Sequence, residues 1–208
     1  MNYFIEMGKP IWESGLYDNE TIVQLWDFYV THGATAGINK RDIKDYSPLQ
    51  ASYDNLIKLA HANIQDCIVL KADSMYNTLV NLGFYERNKN GEPKPCKTID
   101  IDKVRWCMLQ NYEIRDFEEP RAKKGEAGCG CLFRHIRNAL AHSSVSVFSN
   151  SNVLLFEKSH NGPTAYMLVN GKTLVDWVKY VDIDSKYYFK NDSRLEIKDY
   201  LGLEVKTK

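Results

Sequence analysis

Fifteen residues, Gly130 to Ser144 (GCLFRHIRNALAHSS), constrain this chain more than any other stretch. On a wheel of about 100° per residue, Leu132, Phe133, Ile136, Ala139, Leu140 and Ser143 gather on one side, which predicts a helix with a core face. Cys131, Arg134, His135, Asn138 and His142 gather opposite, so a thiol, an amide and two histidines share one polar stripe. Asn138 and His142 are one turn apart and therefore neighbours on the helix surface. Arg137 lies on the flank, five residues before His142. That spacing separates the two Cα atoms by about 7.5 Å of rise and about 140° of rotation, so one chain brings the two tips together only if the arginine arches.

Such a helix needs other elements to cover its apolar face. Residues 1–18 carry Gly8, Pro10 and Gly15 among aromatics and predict an irregular segment anchored by Phe4, Ile5, Trp12 and Tyr17. Asn19 offers an N-cap, and Ile22, Val23, Leu25, Trp26, Tyr29 and Val30 recur at helical spacing up to Gly33. Ser47, Pro48 and Gln50 form a capping signature. The apolar spacing from Leu49 through Tyr53, Leu56, Ala60, Ile64 and Cys67 to Leu82 then predicts one long helix or, if Asp73 caps a second piece, two. Residues 86–97 read as a polar loop. Asp100 or Asp102 can cap a helix carrying Val104, Cys107, Met108 and Tyr112, and residues 116–129 read as a loop.

Beyond His142 the period changes. Ser144–Phe148, Val153–Phe156 and Thr164–Val169 are short, β-branched or aromatic runs separated by turn residues, which predicts an antiparallel hairpin or meander. Leu174, Val175, Trp177, Val178 and Val181 predict a last amphipathic helix after Gly171, and the tail from Asp182 is left unassigned. The expected fold is mainly α with a small antiparallel β element. The chain reads as one domain over 1–208: an N-terminal extension (1–46), a helical core (47–143), the β element (144–170) and a C-terminal helix with its tail (171–208).

Composition narrows the function classes. Lys+Arg and Asp+Glu balance at 27 each, so no global basic field recruits nucleic acid and any such site is local. Five cysteines without a secretory leader fit a reducing interior. No window approaches the roughly 20 apolar residues of a membrane span, and a cytoplasmic location without membrane contact is expected.

RNALAH, residues 137–142, resembles the hallmark of the HEPN superfamily: an Arg, a polar residue that is often Asn, three further residues and a His near the end of a helix. The matching positions are Arg137, Asn138 and His142. The preceding FRHI, the Ser-rich stretch that follows, the β-like segment and the late helix GKTLVDWVKYV are similar to the surroundings of that motif in small stand-alone HEPN proteins of bacterial defence and mobile elements. The likeness covers the layout of residues 47–182 and is specific around the motif. It implies an up-and-down helical bundle, a homodimer with the motif helices facing each other across a composite active site, and a metal-independent endoribonuclease without a cofactor. It also implies a toxin or anti-phage effector, with room for an antitoxin or other regulatory partner.

These residue types suit that chemistry. RNA cleavage without a metal needs deprotonation of the 2′-OH, stabilisation of a phosphorane-like transition state and protonation of the leaving 5′-oxygen. A histidine, with a reference pKa of about 6.5, serves as base or acid near neutrality, which is the role expected of His142. Arg137 stays cationic and can fork two donors onto phosphate oxygens. Asn138 can orient His142 from one turn below or hydrogen-bond the RNA. A two-fold arrangement would let both chains line one cleft and would remove the angular problem between Arg137 and His142.

Other readings stay open. Arg137 could be a solvated flank residue and His142 a helix C-terminal residue favoured by the dipole. HEPN domains also serve as non-catalytic modules that dimerise and bind a nucleotide or a partner. His135 is expected at the surface, and with Arg134 it is a candidate RNA contact. Arg121, Lys123 and Lys124 form a local basic patch that could track an RNA backbone. Cys129, Cys131 and His135 make a CxCxxxH run that could hold zinc with Cys96 or Cys107, although its spacing is not that of a standard zinc module.

Overall fold

In the computed structural model, Asp18 rather than Asn19 caps the first helix. Its backbone is extended and its carboxylate accepts the N–H of Thr21 at 2.7 Å, the third residue of the helix. The structure describes residues 2–4, 18–32, 46, 52–63, 66–70, 77, 80–81, 85–96, 98–100, 106–110, 128–147, 151–159, 162–190 and 195–203, and structural statements concern these. The capping signature at Ser47–Gln50, Asp73, Asp102 and the loop 116–127 lie outside them.

Helix α1 (Asn19–Trp26) runs into one π-helical turn, Asp27–Thr31, closed by the His32 N–H donating to the Asp27 carbonyl at 2.7 Å. Phe28 and Tyr29, adjacent in sequence, are both buried, at 0% and 1% exposure. They meet Phe133 edge to face at 5.4 and 5.9 Å between ring centroids, and Tyr46 and Tyr188 complete the aromatic cluster around Phe28. The segment expected as a packed extension thus supplies part of the main core.

Helix α2 (Tyr53–Asn63) is much shorter than the helix expected across residues 47–83. It is followed by β2 (Asp66–Leu70), inside that stretch, which pairs in parallel with β6 (Trp106–Gln110), where a helix capped by Asp100 or Asp102 was expected. Both corrections have one physical source. DCIVL and WCMLQ are continuous apolar runs, and a run that short fits a strand buried on both faces as well as a helix face. The β-branched Ile68 and Val69 favour the strand. Asp100, expected as a helix cap, instead lies in β5 (Thr98–Asp100), antiparallel to β1 (Asn2–Phe4). The polar loop 86–97 contains a small hairpin, β3 (Tyr85–Arg87) and β4 (Pro93–Pro95), whose turn uses Gly91 at φ +78°.

Helix α3 (Gly128–Ala141) is the motif helix. The expected meander follows it: β7 (Val145–Val147), β8 (Asn152–Ser159) and β9 (Gly162–Asn170), all antiparallel. The meander is larger than foreseen because β9 also pairs with β6, giving a five-stranded mixed sheet in the order β2-β6-β9-β8-β7. Asn170 caps α4 (Gly171–Val181), the late helix, by accepting the Lys172 N–H at 3.0 Å. Helix α4 is fastened to α2 by Trp177 Nε1–H donating to the Leu56 carbonyl at 2.8 Å and by Asn63 Nδ2 donating to Asp176 at 3.1 Å. The tail turns at Asp182, whose buried carboxylate accepts the N–H groups of Lys186, Tyr187 and Tyr188, and ends in α5 (Leu195–Leu201). Among the described residues no helix is long and apolar enough to cross a membrane.

Candidate functional site

Leu132, Phe133, Ile136, Ala139 and Leu140 are buried, as the wheel places them. Phe133 enters the aromatic cluster, while the neighbouring face of α3 lies across β8. Ser143, expected on the core face, falls beyond the helix end and is exposed. It occupies a left-handed conformation at φ 54°. The Ser143 N–H donates to the Leu140 carbonyl at 3.1 Å and the Ser144 N–H to the Ala139 carbonyl at 2.8 Å, the two bonds of a Schellman ending. The Phe156 N–H then donates to the Ser144 carbonyl at 3.0 Å, which ties the helix exit to β8.

This packing corrects the expected polar stripe. His135 is not a surface residue; it is 2% exposed and its Nδ1 meets Glu157 Oε2. Asn138 Nδ2 donates to the other oxygen, Glu157 Oε1, at 2.7 Å, and Arg137 Nη1 donates to Asn138 Oδ1 at 2.9 Å. His135, Glu157, Asn138 and Arg137 therefore form one continuous chain of polar contacts from the α3–β8 interface to the helix flank. A carboxylate only accepts, so the Asn138 amide must present nitrogen to Glu157 and oxygen to Arg137. The same logic places a proton on His135 Nδ1. Burial pushes the Glu157 carboxyl up, but the His135 contact, the Asn138 hydrogen bond and the Arg134 charge outweigh it and hold it below its ordinary value.

No hydrogen bond joins Asn138 to the His142 ring; the amide's side-chain partners are Glu157 and Arg137. His142 follows the last helical residue, and its N–H donates to the Asn138 carbonyl at 3.0 Å. The residue is exposed, and its imidazole has no hydrogen-bond partner among the described residues. Arg137 is half-buried, and its Nε is buried without a hydrogen-bond partner. Arg134 is also half-buried and its charge acts on Glu157. Arg121, Lys123, Lys124 and the side chains of Cys129 and Cys131 lie outside the described residues.

Glu157 is the site residue that the sequence reading missed. On β8 it shares a face with Val153 and Leu155, both 0% exposed, but Leu154 on the other face is buried too, so no alternation in the sequence set Glu157 apart. Chemically, the arrangement offers a tethered guanidinium and an uncommitted imidazole on one end of a helix, with a half-buried acid behind the tether. No family model matches the chain, and neither curated proteins nor solved structures yield a match.

Proposed function

We propose that this protein is a metal-independent endoribonuclease of HEPN type that works as a homodimer, and that it acts as a toxin or anti-phage effector. In this reading α3 is the motif helix of a HEPN-like arrangement, with the meander packed behind it and α4 seated on α2 and β9. The observation that carries the proposal is the division of labour within residues 137–142: Arg137 is held through Asn138, while the His142 imidazole stands in solvent.

Arg137 grips the non-bridging oxygens of a phosphodiester and offsets the charge that builds on them. His142 of one protomer takes the proton from the 2′-OH as that oxygen bonds to phosphorus. His142 of the second protomer gives a proton to the 5′-oxygen as its bond to phosphorus breaks. The products carry a 2′,3′-cyclic phosphate and a 5′-hydroxyl. Asn138 serves this chemistry by holding Arg137, and Arg134 and the basic run Arg121, Lys123 and Lys124 supply backbone contacts to RNA.

The deciding experiment incubates purified protein with single-stranded RNA in excess chelator and maps the ends. Cleavage with cyclic-phosphate ends, lost in His142→Ala while the dimer stays folded, supports the assignment. Cleavage that persists in His142→Ala overturns it. RNA or nucleotide binding with no cleavage by the unmodified protein leaves a non-catalytic binding module in its place.

A further inference from the structure

We infer that Glu157 is the positioning residue of this site: with His135 beneath it, its carboxylate sets the Asn138 amide so that the amide oxygen holds the Arg137 guanidinium in place. The inference rests on the endoribonuclease reading for its purpose, and it adds to the site a residue outside the motif helix.

Three independent observations converge on Glu157. The first is its address. It lies at an inward-facing position of β8, beyond Val153 and Leu155, where α3 crosses the strand.

The second is a break in the strand register at this residue. Glu157 pairs with Ala165, but Lys158 pairs with Pro163, so Thr164 is left as an extra residue on β9. Pro163 has no N–H to give the ladder, which places the irregularity here. The bulge bends β9 opposite Glu157, and bulges are over-represented beside active sites.

The third is the exclusiveness of the contacts. Both carboxylate oxygens are engaged, one by His135 and one by Asn138. The His135 ring has no second hydrogen bond among the described residues, since its Nε2 is buried without a partner; its polar contact is to Glu157. At the other end, the hydrogen bond from Nη1 to Asn138 is the one that tethers the Arg137 guanidinium among the described residues.

An arginine must present its planar fork in one orientation to meet two phosphate oxygens, and an untethered side chain samples many. The tether works only while the Asn138 oxygen faces Arg137. That orientation is enforced because a carboxylate accepts hydrogen bonds and gives none. Glutamine at 157 has one acceptor and one donor end. It then opposes either the Asn138 nitrogen or the His135 Nδ1 proton with a second donor, and a shift of that proton to Nε2 is disfavoured because it would bury an N–H with no acceptor.

The test uses the full-length protein and two readouts. Nitrogen-15 NMR of the guanidinium, with the Arg137 signal identified by its loss in Arg137→Lys, reports the tether directly. Single-stranded RNA cleavage, measured as kcat and KM separately, reports its use. Glu157→Gln should release the Arg137 side chain to fast rotation and lower kcat/KM by about 10–100-fold, the usual scale for a residue that orients another. Added to Arg137→Ala, it should lower kcat/KM no further, which a purely structural role does not predict.

An Arg137 signal that stays as restrained in Glu157→Gln as in the unmodified protein overturns the inference, and so do additive losses. Cleavage by the unmodified protein that Glu157→Gln leaves unchanged removes the positioning role and keeps the endoribonuclease. Release of Arg137 by Glu157→Gln in a protein that cuts no RNA removes the endoribonuclease reading and keeps the tether. If Glu157→Gln does not fold, Asn138→Ala cuts the same connection at a half-exposed helical position, and there too a restrained Arg137 overturns the inference.

Discussion

Glu157 Oε1 accepts the Asn138 Nδ2 hydrogen at 2.7 Å across the junction of α3 and β8, between residues 19 positions apart in the chain. Through that bond, the orientation of a half-buried arginine becomes a property of how a helix docks on a sheet. A pattern confined to one helix face would give Arg137 no such constraint.

The Glu157 carboxyl is held below its ordinary value of 4.5 in the folded chain. A lowered folded pKa means that its contribution to stability is fully present above the unfolded value and is lost as pH falls through the folded one. The melting-temperature gap between the unmodified protein and Glu157→Gln should be flat above about pH 5.5 and close as the solution is acidified below the ordinary carboxylate range. A gap that widens in acid would refute the sign.

Arg137→Lys keeps the charge but loses the fork and the geometry of the Nη1 bond to Asn138. Cleavage should fall by about 100-fold, approaching Arg137→Ala, because a point charge does not replace bidentate contact. Equal activity of the lysine variant and the unmodified protein, measured under single-turnover conditions, would show that charge alone suffices.

Ser143 holds a left-handed conformation at φ 54° without glycine's freedom. Ser143→Gly should stabilise the fold by about 0.5–1 kcal/mol, the net of relieved strain and a freer unfolded chain. The urea midpoint reads this directly, and Ser143→Val should move it the other way.

Phe133 is 0% exposed and meets both Phe28 and Tyr29. Phe133→Ala should cost about 3–5 kcal/mol, the usual range for an aromatic removed from a core. Because Phe133 joins α3 to the π-helical turn, near-ultraviolet dichroism should weaken before the far-ultraviolet signal does.

Asp182 is fully buried and accepts three backbone N–H groups at 2.7–3.0 Å. Asp182→Asn places a donor against donors and should cost about 2–3 kcal/mol in denaturant unfolding. Comparable stability of the two proteins would show that the Ser185–Phe189 turn forms without that acceptor.

Where turn residues or a cap mark off a segment, its type was legible. The core face of α3, the three strands after His142 and the helix after Gly171 all follow from spacing of apolar residues. Where a segment is apolar throughout, spacing carried no information. Asp66–Leu70 and Trp106–Gln110 satisfy a helical pattern, yet they pair with each other, a choice made by residues 36 or more positions away. The same limit governs the site. Arg137, Asn138 and His142 stand out within a single helix, whereas the burial of His135 depends on β8 and the part played by Glu157 depends on α3. Asn138 illustrates the consequence: spacing alone made His142 its natural partner, and the strand supplied a stronger one.

The order of these elements along the chain also bears on synthesis. A ribosome releases residues 137–142 before it releases β8, and domains take shape in that direction. Until Ser144–Glu157 has emerged and folded back, the newborn arginine has no acid behind it. A chain arrested in between displays the hexapeptide with its guanidinium unaimed. If the chain cuts RNA as proposed, an aimed arginine exists only once β8 has joined α3.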